Sequence, residues 1–153
     1  MIYVSLLIWF GYSLIEGKRE ANFWHHRINS SDYELFKDID RHPLFVIQRG
    51  LMLISLGVVA YLVTDNLLWV GYFFILNSLL FTFFHNGSMY LERFNMSKKS
   101  NPDNPGMWVY KDGWWAQSST SEALTTKFMT PISRTIQMTL GVLGYLVYFF
   151  WGC

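Results

Sequence analysis

The stretch LFVIQRGLMLISLGVVAYLVTDNLLWVGYFFILNSLLFTFF, residues 44–84, decides the fold class. It contains two apolar runs, 44–63 and 67–84, which are separated only by the polar residues 64–66. At about 1.5 Å per residue, each run is long enough to cross or nearly cross roughly 30 Å of hydrocarbon. Because the polar connection is so short, the pattern predicts a tight hairpin of two transmembrane helices.

Two further apolar runs, Ile2 to Ile15 and Ile136 to Trp151, flank the hairpin. The first is short for a span but can continue as a helix, and Pro131 suits the first turn of the last helix. The sequence therefore predicts an all-α fold, an integral membrane bundle of four transmembrane helices in a single domain over residues 1–153. The predicted spans are about 2–20, 43–63, 67–92 and 131–151, and the predicted long loops are about 21–42 and 93–130.

Composition agrees with such a bundle. Hydrophobic residues make up 52% of the chain and charged residues only 15%, whereas soluble domains have about 25% charged residues. The net charge of +1 provides no basic field, so we expect no nucleic-acid partner. The single cysteine, Cys153, excludes an internal disulfide and a thiolate zinc site within one chain. No basic residue precedes the first apolar run, so no cleaved signal peptide is expected.

The basic residues predict the orientation. Six of the twelve lysines and arginines lie within 18–49, six lie within 93–134, and the hairpin has none. Because basic residues collect in cytoplasmic loops, we expect a multi-pass membrane protein with both long loops in the cytoplasm. The hairpin and both termini are then expected outside.

Several polar side chains reach a common depth, roughly 21 to 26 Å from the outer end of each predicted span at the standard helical rise. They are Glu16, Glu20, Arg49, His85, Arg134 and Gln137. Ionisable groups at this depth are costly, so they normally face the bundle interior and pair. We expect Glu16 to pair with Arg49. Glu20, on the same helix face as Glu16, is then expected to pair with His85 or Arg134.

Polar and small residues also predict how the helices pack. Asn77 lies in the middle of the third span, where an asparagine usually bonds a neighbouring helix. Gly141 and Gly144 continue the face of Arg134 and Gln137 in steps of three and four residues, which favours close packing. The aromatic residues of the second loop suit a segment at the membrane surface. They are Trp108, Tyr110, Trp114 and Trp115.

Three classes of function remain open, and the sequence does not decide whether the protein is an enzyme. We favour an accessory or structural membrane protein that binds a protein partner or forms a homo-oligomer within the lipid bilayer. The alternative is a small membrane enzyme that acts on a lipid or phosphate-bearing substrate at the cytoplasmic leaflet. A second alternative is an oligomeric transporter or channel subunit, since four helices alone enclose only a narrow pore.

The enzyme hypothesis assigns roles to the polar layer. Acid–base work or metal binding needs carboxylates and imidazoles, whereas an anionic lipid headgroup or phosphate needs guanidinium and amide donors. The candidate catalytic residues are Glu16, Glu20 and His85. The candidate ligand-binding residues are Arg49, Arg134 and Gln137.

A divalent metal is the one cofactor that the sequence suggests, because zinc and iron sites use carboxylates and imidazoles. The candidate ligands are His25, His26, Asp38, Asp40 and His42. Asp38, Asp40 and His42 alternate, so in an extended strand they would point the same way. No His-Glu-x-x-His motif is present, and solvated loop residues are the competing interpretation.

Overall fold

The computed structural model describes residues 2–29, 42–117 and 130–151. Over these residues the chain forms four α-helices and no strand, which confirms the all-α prediction. The helices are α1 (Ile2–Asn29), α2 (His42–Thr64), α3 (Leu67–Ser100) and α4 (Pro131–Trp151). Two 3-10 turns, Pro105–Met107 and Gly113–Trp115, lie in the connection after α3.

Helices α1 and α3 are longer than the predicted spans. Helix α1 continues from residue 20 to Asn29, and α3 continues from residue 92 to Ser100. Neither extension contains a glycine or a proline, so nothing in the local sequence stops the helix. Two lysines in the last turn of α3 further stabilise its negative end. The predicted boundaries followed hydrophobicity, whereas α3 ends just before Asn101 and Pro102, where the proline disfavours a further helical turn.

The connection between α2 and α3 confirms the tight hairpin. Asp65 adopts the left-handed conformation with φ of 49°, and its N–H donates to the Tyr61 carbonyl at 2.7 Å. The side chain of Asn66 then caps α3 by accepting the Leu68 N–H at 2.9 Å. One helix therefore ends and the next begins within two residues.

Helix α3 is the centre of the bundle, because it packs against α1, α2 and α4. Two hydrogen bonds on Asn77 join three helices: its carbonyl accepts Trp9 Nε1–H at 2.8 Å and its Oδ1 accepts the Tyr145 hydroxyl at 2.7 Å. This confirms the predicted role of Asn77. An apolar cluster of buried residues lies between α2, α3 and α4. Its buried members are Ala60, Phe73, Leu76, Leu80, Tyr145 and Tyr148.

The small face of α4 packs closely on α3, as predicted. A Cβ on Gly141 would come within 2.9 Å of the Leu80 side chain, and a Cβ on Gly144 would overlap the Leu76 side chain. The Gly144 carbonyl also accepts the Tyr72 hydroxyl at 2.7 Å. Glycines therefore allow these two helices to approach more closely than larger residues would.

Two of the described helices, α2 and α3, are long and apolar enough to cross a membrane. In the most apolar segment of each helix, only 17% of the residues in α2 and 22% in α3 are buried inside the protein. Helices α1 and α4 are long enough to cross a membrane but not apolar enough to count as candidate spans. Charged residues at 16–20 interrupt α1, and Arg134 and Gln137 lower the hydropathy of α4. The four-span bundle therefore stays a prediction.

Candidate functional site

Three polar side chains from three helices meet inside the bundle. Oε2 of Glu20 on α1 accepts a hydrogen bond from Nη2 of Arg49 on α2 at 2.6 Å. The same Oε2 lies 2.9 Å from Nε2 of His85 on α3, and Arg49 Nη2 lies 2.9 Å from that nitrogen too. Glu20 is 6% exposed and His85 is 3% exposed. These three residues form the charged cluster.

Neighbouring groups complete the hydrogen bonds of the Glu20 carboxylate and the His85 imidazole, whereas Arg49 Nε is buried without a hydrogen-bond partner among the described residues. Glu20 Oε1 accepts the Trp24 Nε1–H at 3.3 Å, and His85 Nδ1 lies 2.9 Å from Asn86 Oδ1. The Phe81 ring stacks on the His85 imidazole at 4.6 Å, and the Arg49 guanidinium lies 5.1 Å from the centre of the same ring. Both carboxylate oxygens and both imidazole nitrogens therefore have a polar partner.

The geometry allows two arrangements of one proton on His85. A neutral imidazole with its proton on Nδ1 donates to Asn86 Oδ1 and accepts from Arg49 on Nε2. With its proton on Nε2 instead, the neutral imidazole donates to the Glu20 carboxylate. Both arrangements place an imidazole against a carboxylate, which is the kind of pair that the enzyme hypothesis requires.

Glu16 does not pair with Arg49, so that prediction was wrong. Its Oε1 accepts from Arg19 Nη2 at 2.8 Å, one turn further along α1. Arg19 Nη2 also donates to Gln48 Oε1 on α2 at 2.7 Å. Counting residues from the outer end of each span placed Glu16 at the same depth as Arg49. In the packed structure, Glu20, about one turn further along α1, lies beside Arg49 instead. The role of Arg19 was missed, although its three-residue spacing from Glu16 is a helical pairing signal.

Arg134 does not reach Glu20, which corrects the second option for that carboxylate. Arg134 is 1% exposed, and its Nη2 donates to the carbonyl oxygens of Trp114 at 3.1 Å and Ala116 at 2.9 Å. Its guanidinium also lies 5.2 Å from the centre of the Tyr90 ring. Arg134 therefore ties the connection after α3 to the start of α4.

Gln137 also bonds away from the charged cluster. Its Oε1 accepts the hydroxyl of Thr82, which joins α4 to α3. Thr82 precedes His85 by about one helical turn, so Gln137 lies near the predicted depth but bonds Thr82 rather than a member of the charged cluster. The predicted polar layer is thus divided into separate contacts rather than one site.

The second loop packs on α3 through its aromatic residues. The Tyr110 ring stacks on Tyr90 at 4.6 Å, and a Cβ on Gly87 would overlap the Trp114 ring. Arg93 Nη1 donates to the Tyr110 hydroxyl at 3.2 Å. Sequence patterns predicted a surface segment here and missed this packing, for which Gly87 is the one visible signal.

The structure describes the side chains of only some of the candidate metal ligands. His25 and His26 lie near the end of α1 with ring centres 5.9 Å apart, and His25 Nε2 is 3.4 Å from Ser100 Oγ. Burial lowers the pKa of His25, and the neighbouring His26 and Arg93 lower this pKa further. Asp38, Asp40 and the side chain of His42 lie outside the described residues. Within the described part of the chain, no group of three carboxylate, histidine or cysteine side chains could hold a metal ion.

Among the described residues, several open grooves lie beside α1, and two of them include charged side chains. One, of about 400 Å³, is formed with α2 and is lined by Arg19, Phe23, Leu44, Phe45 and Gln48. The other, of about 500 Å³, is formed with α3 and the turn Gly113–Trp115. Its lining is Gly11, Leu14, Ile15, Lys18, Ser88, Leu91, Glu92, Asn95 and Trp114. We call this second cavity the α1–α3 groove.

Within the described residues, the charged cluster thus brings an acid–base pair together, and the α1–α3 groove offers room for a ligand. No protein-family model matches the sequence, and no curated protein or solved structure matches it either. The function must therefore be inferred from the contacts of the chain itself.

Proposed function

We propose that this chain is an accessory or structural membrane protein with four spans, whose charged cluster holds α1, α2 and α3 in register. The observation that carries this proposal is the saturation of two members of the charged cluster: each oxygen of Glu20 and each ring nitrogen of His85 already has a polar partner. A carboxylate and an imidazole that bond their own neighbours are suited to fixing helix positions. Apolar outward faces then remain for lipid and for a protein partner or a second copy.

Outward apolar side chains support the four spans. Ile15 on α1 is 70% exposed, Leu62 on α2 is 76% exposed and Ile132 on α4 is 73% exposed, and α3 has similar residues. Soluble monomers rarely expose contiguous apolar patches larger than a few hundred Å². Hydrocarbon solvates such faces without cost, so a bilayer explains why all four helices carry them.

The positions of the charged residues on α1 are compatible with this helix spanning the membrane. Glu16 and Glu20 are buried and paired inside the protein, so neither carboxylate faces lipid. Lys18 and Arg19 are exposed near the inner end of the proposed span, where their long side chains can reach the headgroups. Mean hydropathy treats inward and outward charges alike and therefore undervalues this helix.

Labelling of single cysteines tests the topology. In a Cys153→Ser background, the exposed positions Leu67 and Asp103 are each changed to cysteine. We expect a membrane-impermeant maleimide to label Leu67→Cys from outside intact cells and to label Asp103→Cys only after the cells are opened. Labelling of both positions from the same side, or release of the protein from membranes by alkaline carbonate, would contradict the four-span topology.

A small membrane enzyme is the second candidate. It is favoured by the contact between the Glu20 carboxylate and the His85 imidazole at 2.9 Å, a pair that can transfer a proton. The two candidates differ in what the cluster contributes. A structural cluster loses stability when one member is removed, whereas a catalytic pair loses turnover while the bundle stays folded.

A further inference from the structure

The α1–α3 groove has one stripe of residues from each helix. Helix α1 contributes residues 11, 14, 15 and 18, and α3 contributes residues 88, 91, 92 and 95. Both sets follow the spacing i, i+3, i+4, i+7, so each stripe runs along one helix face. The ring of Trp114 forms part of the remaining wall. The groove is therefore an elongated cleft along the bundle rather than a closed cavity.

The two ends of this groove differ in chemistry. Gly11, Leu14 and Ile15 make one end apolar, and a Cβ on Gly11 would meet nothing within 4 Å. Glu92 and Asn95 make the other end polar. In the proposed topology the apolar end lies toward the bilayer centre and the polar end toward the cytoplasmic headgroups. An occupant that matches both ends must itself be amphipathic.

The polar half of the groove carries one charge of each sign. Lys18 lies on α1 and Glu92 lies on α3. Among the described residues, neither side chain forms an ion pair, with the other or with a third residue. The groove is therefore electrically balanced, and its two charges remain available to a zwitterionic ligand.

We propose that the α1–α3 groove binds a phospholipid whose headgroup carries a primary ammonium, of the phosphatidylethanolamine class. This inference rests on the proposed function, since the groove meets such a lipid only if α1 and α3 span the bilayer. Lys18 would contact the phosphate, Glu92 and the amide oxygen of Asn95 would accept ammonium N–H groups, and an acyl chain would lie along the apolar end.

Charge and hydrogen bonding disfavour phosphatidylglycerol and phosphatidylcholine in this groove. Phosphatidylglycerol has no cation, so the Glu92 carboxylate would repel it. Phosphatidylcholine has a cation but no ammonium N–H, so Glu92 and Asn95 would lose their hydrogen bonds. The groove therefore distinguishes lipid headgroups by their charge and by the number of N–H groups that they can donate.

Lipid retention in native mass spectrometry tests the proposal. The full chain is reconstituted in nanodiscs with equal amounts of phosphatidylethanolamine, phosphatidylcholine and phosphatidylglycerol, and is then transferred to detergent. We expect the retained lipid to be enriched roughly threefold to fivefold in phosphatidylethanolamine, the size that partly exposed charge contacts give. Lys18→Gln and Glu92→Gln should each reduce the enrichment, and Gly11→Phe should abolish it by filling the apolar end.

Matched controls separate the groove from the rest of the surface. Lys99→Gln removes an exposed lysine of α3 outside the groove, and Gly71→Phe fills open space elsewhere on the same helix. Both controls should keep the enrichment. Equal retention of the three lipids, or enrichment that survives Gly11→Phe, would overturn the lipid site while leaving the membrane topology intact. Failure of the chain to enter the nanodiscs would overturn the proposed function and this inference together.

Discussion

Replacement of Glu20 by alanine is expected to destabilise the folded bundle by about 3–5 kcal/mol, the usual effect of removing one partner from a buried charge pair. Arg49 and His85 would lose the carboxylate that lies 2.6 Å and 2.9 Å from them. The Arg49 guanidinium would then stay between aromatic rings without its counter-charge. Unfolding in mixed detergent micelles, followed by circular dichroism, measures the change in the free energy of unfolding.

Two further variants define what the Glu20→Ala result means. Asp103→Ala removes an exposed carboxylate from the turn after α3 and should change the free energy of unfolding by less than about 0.5 kcal/mol. The triple variant Glu20→Leu, Arg49→Met, His85→Leu removes the whole charged cluster and should recover most of the lost stability, because no uncompensated charge remains. A Glu20→Ala protein as stable as the parent would refute the structural role and favour the enzyme candidate.

Gly17→Ala is expected to destabilise the protein by about 2–3 kcal/mol, although alanine is the better helix former. The added Cβ would overlap the Ser88 hydroxyl and the His85 carbonyl oxygen. Since the second contact is with backbone, α1 must move away from α3. That movement would also stretch the contact between Glu20 and His85. The same detergent unfolding measurement reports the loss.

Gly11→Ala is the matched control for this prediction. Gly11 lies on the same helix, but a Cβ there would meet nothing within 4 Å. We expect Gly11→Ala to leave stability unchanged or to raise it by up to about 1 kcal/mol through helix propensity. If both alanine variants changed the free energy of unfolding equally, close packing at Gly17 would not be what holds α1 against α3.

Local patterns in the sequence were sufficient for the four described helices and for their ends at the hairpin and at Pro131, but not for the inner ends of α1 and α3. The apolar runs at 44–63 and 67–84 predicted the α2–α3 hairpin, and Pro131 predicted the first residue of α4. Asn77 was correctly expected to bond a neighbouring helix. Hydrophobicity and backbone signals act over a few residues, so they can be seen without the tertiary structure.

Contacts between helices depend on how each helix slides and turns against its neighbours, which the sequence does not state. Counting residues gives the height of a side chain along its own helix, about 1.5 Å per residue, but not how far that helix slides or turns against its neighbours. Because α2 lies about one helical turn further along α1 than residue counting suggested, Arg49 pairs with Glu20 instead of Glu16. The way α4 packs on α3 brings Arg134 to the connection after α3, where it bonds the Trp114 carbonyl, rather than to Glu20. The sequence alone thus determined the helices and the approximate level of their polar residues, whereas packing in three dimensions decided which charges meet.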